Sequence, residues 1–177
     1  MEYIYLQECQ LKATFEMLNE IYRKKMNVSI NKLNSKKDAP MELLLLADPS
    51  EKLVKSYLNK GTCYTATIDG ETVGVILVME TKAFTMEVMN LAVKEELQNK
   101  GIGKQLLLYI IEEIKKGDTK TIEIGTGNPG VVQMLLYQKC GFRIVDIDFD
   151  FFRRTHHERI YVNGIECRDM IRMRIEL

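Results

Sequence analysis

Proline and glycine are scarce, 3 and 11 of 177 residues, so the chain is neither collagen-like nor disordered throughout. Charge of one sign is also lacking. Lys plus Arg and Asp plus Glu both number 25, and the formal net charge is zero. That leaves no positive field of the kind a phosphate backbone attracts, so no nucleic-acid partner is expected. Long hydrophobic runs are missing too. The longest apolar stretch, Val73-Gly-Val-Ile-Leu-Val-Met79, has seven residues, whereas a membrane span needs about 20. The first residues lack the basic-then-apolar order of a secretory signal. No membrane partner is expected, and the expected location is cytoplasmic. The four cysteines (Cys9, Cys63, Cys140, Cys167) are too scattered for a CxxC pair or a disulfide framework. The adjacent His156 and His157 have no Cys or third His nearby, which favours a solvated loop and predicts no metal. What remains, 46% apolar and 28% charged residues, is the composition of one globular domain with a real core.

The periodicity orders the chain. Leu11, Phe15, Leu18 and Tyr22 recur at helical spacing and are followed by Arg23-Lys24-Lys25, which predicts an amphipathic helix over about 7–25. Asn27 to Leu33 alternates as a short strand. Pro40 opens a helical turn through Leu43–Leu46, and Asp48-Pro-Ser-Glu51 caps a helix reaching Asn59. Two β-rich runs, 62–68 and 71–79, meet at Asp69-Gly70, a hairpin signal. A strand over 85–93 and a helix over 101–116 follow, the latter carrying Ile102, Leu106, Ile110 and Ile114 on one face. Then come strand 120–124, helix 131–139, strand 142–149, a tight hairpin around Asn163-Gly164 and a last strand over 169–176. This order predicts a three-layer α/β domain with a mixed sheet.

Two segments resemble phosphate loops. Gln98-Asn-Lys-Gly101-Ile-Gly103-Lys104 lies between a strand and a helix, where glycines let backbone N–H groups close around a phosphate at the positive helix end. It is not a Walker loop: Gln98 stands where that motif needs Gly, and Gln105 where it needs Ser or Thr. Gly125-Thr-Gly127-Asn-Pro-Gly130 matches GxGxxG, with Asp148 near the spacing of a ribose acid. Only 29 residues follow Asp148, too few for a doubly wound dinucleotide fold.

The first loop, read with its flanks Glu87-Val-Met-Asn-Leu-Ala-Val93 and Leu136-Tyr137-Gln-Lys-Cys-Gly141-Phe142, resembles the GNAT superfamily of acyl-CoA-dependent N-acyltransferases. In that family Q/R-x-x-G-x-G/A follows a strand ending in an L-A-V-like tripeptide. The resemblance implies a GNAT fold, three layers α/β/α with a mixed, mostly antiparallel sheet of about seven strands. It implies acetyl-CoA as cosubstrate and a primary amine, of a small molecule or a protein, as acceptor.

It also implies a site. The pyrophosphate would rest on the N–H groups of Gln98, Asn99, Lys100, Gly101, Ile102, Gly103 and Lys104. The pantetheine arm would pair with the backbone of Leu91, Ala92 and Val93. Glu87, six residues before Val93, is the candidate base or an anchor for the acceptor's amine. On an unbroken strand it shares a face with Met89, Leu91 and Val93. Tyr137 corresponds to the family tyrosine that protonates the departing thiolate; the alternative is a core aromatic. Many members carry Asn seven residues before that tyrosine, where this chain has Gly130, so Asn128 is the substitute candidate for reaching the pantetheine from the loop. Cys140 lacks a nearby histidine in sequence and reads as a small buried residue.

The resemblance starts at residue 26. Residues 1–25 are therefore expected to be an N-terminal helical extension and 26–177 the acetyltransferase domain. The extension's apolar stripe must pack on its own domain, cover the acceptor cleft or pair with another subunit as a homodimer. Acceptor identity would lie in the variable segments 35–60 and 150–168. A CoA-binding sensor or interaction module without turnover is the alternative function.

Overall fold

The computed structural model describes residues 27–177, so the expected helix over 7–25 lies outside the described residues. The elements run β1 (Val28–Lys32), α1 (Met41–Ala47), α2 (Glu51–Lys60), β2 (Thr62–Ile68), β3 (Glu71–Lys82) and β4 (Thr85–Val93). They continue with α3 (Ile102–Ile114), β5 (Thr121–Gly127), α4 (Val131–Lys139), β6 (Arg143–Asp148), α5 (Phe151–Thr155), β7 (Ile160–Val162), β8 (Ile165–Cys167) and β9 (Met170–Glu176). No described helix is long and apolar enough to cross a membrane.

Seven strands form one sheet in the order β1-β2-β3-β4-β5-β9-β6, while β7 and β8 pair as a separate hairpin. The β4–β5 pair is parallel and the other neighbours are antiparallel. The layers follow from the side-chain pattern. Ile102, Leu106, Leu107, Ile110 and Ile111 of α3 form the helical stripe that packs on Ile76, Val78, Val88, Ile122, Ile124 and Met173. On the other face Leu43 and Leu44 of α1 with Val54, Tyr57 and Leu58 of α2 cover Val75, Leu77 and Ala92. This is the expected three-layer arrangement. Ser50 caps α2, its hydroxyl accepting from the Leu53 N–H at 3.4 Å.

Two features of the sheet create the site. Leu77 of β3 pairs with Asn90, and the next residue, Val78, pairs with Val88, so Met89 is a β-bulge, an extra residue that reverses the alternation of β4. Leu91, Val93 and Val88 pack on the α3 side, whereas Met89 and Ala92 pack on the α1–α2 side. Glu87, next to Val88, therefore faces α1 and α2. The expectation that it shares a face with Leu91 and Val93 is corrected: it holds only for an unbroken strand. The second feature is that β4–β5 pairing runs from Thr85–Thr121 to Val88–Ile124 and stops. Immediately after the last pair the bulge bends β4 away, and Met89–Val93 splays from Gly125–Gly127.

Candidate active site

The splayed gap points at the N-terminus of α3. Asn99 (φ 60°) and Gly101 (φ 87°) adopt the left-handed conformation there, turning the chain sharply from the end of β4 into the helix. Gln98 pins this turn to the strand, its side-chain amide donating to the Val93 carbonyl at 3.1 Å. Gly101 offers no side-chain cap, and the first turn of α3 holds no acidic residue. The first N–H groups of a 13-residue helix are thus left for an external acceptor at the positive end of its dipole. At Gly103 a Cβ would meet only Leu136 and Val93, at 3.5 and 3.8 Å. The chain's own packing does not demand glycine there. Ile102 is buried, and Asn99 and Lys100 are exposed. Residues 91–93 and 98–104, singled out from sequence, are the end of β4 and the turn that follows it into α3, joined by the Gln98–Val93 bond.

Glu87 sits on the opposite face, 17% exposed. Its carboxylate accepts from Arg172 Nη1 at 3.1 Å, and Arg172 Nη2 donates to Asp148 at 3.3 Å. The Phe151 ring lies 5.2 Å from the guanidinium, and Arg154 pairs with the far side of Asp148. Burial pushes the Glu87 carboxyl above the ordinary carboxylate range, while the Arg172 charge pulls it back. A cavity of about 320 Å³ opens here, bordered by Lys82, Glu87, Glu123, Asp146, Arg172 and Arg174.

Tyr137 of α4 is buried beside Phe142, the ring centroids 6.2 Å apart. Burial drives its phenol well above the usual range, so it stays protonated across neutral pH. The side chain of Asn128 is spent on the chain itself: its amide donates to the Glu166 carbonyl at 3.0 Å and accepts from the N–H groups of Arg168 and Asp169 at 2.8 and 3.0 Å. It ties the end of β5 to the β8–β9 connection. Cys140 is buried, and burial raises its thiol.

Sequence reasoning missed three things. The first is the short helix α5, whose Phe151 and Phe152 pack edge to face; two aromatics among charged residues carry no periodicity. The second is a hydrogen-bonded bridge on the α1–α2 face of the sheet. Buried Asn90 donates to the Leu44 carbonyl and the Tyr57 hydroxyl, both at 2.9 Å. Tyr57 reaches Asp48 at 3.4 Å, and His156 approaches the other Asp48 oxygen at 3.5 Å. His156, 10% exposed and against Phe152, is thus no solvated residue. The correction has a simple cause: it ends α5, and the ring folds back onto the helix and the α1–α2 turn. His157 remains exposed. The third is the reason for GxGxxG. A Cβ at Gly125 would lie 2.5 Å from Met170 Sδ, one at Gly127 would strike Cys167 Sγ, and one at Gly130 would strike Thr126 Oγ1. These glycines let the β7–β9 segment and the α4 start lie directly on β5.

A family model described as an acetyltransferase (GNAT) domain matches residues 59–144. The uncharacterized N-acetyltransferase YvbK of Bacillus subtilis (strain 168) is 54% identical over 140 residues, 79% of this chain and 90% of that protein. A crystal structure of a Bacillus subtilis acetyltransferase in complex with CoA is 51% identical, with a TM-score of 0.81, covering 85% of this chain and 99% of that one. A GNAT family acetyltransferase from Elizabethkingia anophelis with acetyl-CoA bound is 44% identical, with a TM-score of 0.83 and coverage of 85% and 99%.

Proposed function

This chain belongs to the GNAT superfamily of acetyltransferases and uses acetyl-CoA as its acetyl donor, and from that premise we propose that it acetylates a primary amine by direct attack, with Glu87 and Tyr137 handling the two protons. The observation that carries this reading is the gap between β4 and β5. Its α3 side ends at a free helix N-terminus suited to a pyrophosphate, and on its other side stands a half-buried carboxylate suited to an amine.

An ordinary lysine-like amine, pKa about 10.4, is almost wholly protonated at neutral pH and cannot attack. Glu87 takes one of its protons, directly or through water, a task its raised pKa favours. The neutral nitrogen then attacks the thioester carbon held against the backbone of Met89–Leu91, where a strand N–H freed from β5 can bind the developing oxyanion. The new C–N bond forms, the nitrogen gives up its second proton to water, the C–S bond breaks, and the sulfur leaves as a thiolate. Tyr137, kept protonated by burial, supplies the proton that converts it to the thiol. Gln98 to Lys104 hold the pyrophosphate, and Leu91 to Val93 pair with the pantetheine amides.

The test is isothermal titration of acetyl-CoA together with a free-thiol assay over a panel of amines. Binding accompanied by thiol release with at least one amine supports the reading. Binding with no release from any amine would instead identify a CoA sensor.

A further inference from the structure

Acceptor recognition can be taken further from the groups around Glu87, on the premise that the amine binds there. The cavity is bordered by three carboxylates, Glu87, Glu123 and Asp146, and three cations, Lys82, Arg172 and Arg174. A polyamine entering it would meet fixed cations, and a polyanion fixed carboxylates; each juxtaposition is unfavourable in a partly buried site. A molecule carrying both signs close together meets neither penalty.

Within the cavity the two signs are already adjacent. Arg172 Nη1 lies 3.1 Å from a Glu87 oxygen and Nη2 3.3 Å from Asp148, both longer than the 2.7–2.9 Å typical of strong charge-assisted bonds. Two of the five guanidinium donors are so engaged, leaving three for another acceptor. The Phe151 ring lies 5.2 Å from the guanidinium and packs against it. A planar fork held in this way is suited to two-point binding of a carboxylate. We infer that the acceptor is an amino-acid-like zwitterion, an amine separated from a carboxylate by one or two carbon atoms, whose amine takes Glu87 and whose carboxylate takes Arg172. The acceptor's own pair of charges replaces the protein's pair, so the exchange leaves no buried charge unpaired. Arg172 is thereby the specificity-determining residue.

The experiment measures kcat/KM by thiol release for free amino acids and for the carboxamides of the same amino acids, with polyamines alongside. Wild-type protein, Arg172→Gln and Arg172→Lys are compared at saturating acetyl-CoA. The expected result is a preference for the free acid over its amide on the order of tenfold or more, collapsing toward unity in Arg172→Gln and partly regained in Arg172→Lys. Dividing the variant's ratio by the wild-type ratio cancels the different basicity of the two amines. An equal loss for acids and amides would mean that Arg172 only props Glu87, and would overturn the inference. So would wild-type protein that turns over amides or polyamines as well as acids; in that case amine acetylation itself stands. Thiol release with no amine at all overturns the acetylation reading and this inference with it.

Discussion

The Glu87 carboxyl is pulled two ways, upward by burial and downward by Arg172, and burial wins. A base works only when deprotonated, so the raised pKa displaces the acid limb of kcat/KM to a pH above that of an ordinary glutamate. Glu87→Gln should abolish this limb and lower the neutral-pH rate, with recovery in alkaline solution as the amine loses its own proton; an unaltered pH–rate profile removes Glu87 from the base role and leaves it an anchor. Tyr137→Phe should lower kcat by roughly 10²-fold or more while acetyl-CoA affinity, read by titration, barely changes; unaltered turnover makes Tyr137 a core aromatic only. Both residues were singled out through the family resemblance. The side that Glu87 faces was not legible, because a bulge is a relation between two strands and leaves no mark in the alternation of one. His156 was misread for a similar reason, since its partner Asp48 is remote in sequence.

Among the elements, the turn into α3 was the most legible. Its glycines, its glutamine and the apolar stripe behind them point to one structure, and the helix observed starts at Ile102. Gly103→Asp is the sharper test there, because Gly103, unlike Gly101, lacks a left-handed backbone that would strain any replacement. The variant should melt close to wild type yet bind acetyl-CoA at least 10²-fold more weakly, since a carboxylate would stand where we propose the pyrophosphate lies. Unchanged affinity by titration would displace the pyrophosphate from this loop. The other glycine pattern was legible only as punctuation. Its strand runs on to Gly127, and the glycines answer to Met170, Cys167 and Thr126, contacts set by tertiary packing. The segment 150–168, expected to shape the acceptor site, was the least legible. Bidentate bonds of 2.8 Å from Arg153 to Glu166 hold the β7–β8 hairpin on α5, and neither partner belongs to any periodic pattern.

For the molecule as a whole, seven strands and both helical layers are complete within residues 27–177. This supports the proposal that 1–25 is an appendage. A chain starting at Met26 should fold, melt cooperatively and bind acetyl-CoA with wild-type affinity. Insolubility or loss of binding would move the domain boundary toward the N-terminus. The bulge at Met89 has its largest consequence at this scale. It sets the two halves of β4 out of phase, so the strand offers its carboxylate to one side of the sheet and Leu91 and Val93 to the other. On the proposed reading the donor lies along the backbone of the β4–β5 gap and the acceptor enters beside Glu87, so both can be present together and the acetyl group need never rest on the protein. Initial-rate plots with both substrates varied should therefore intersect, the pattern of a ternary complex, and parallel lines would reveal a covalent acetyl-enzyme.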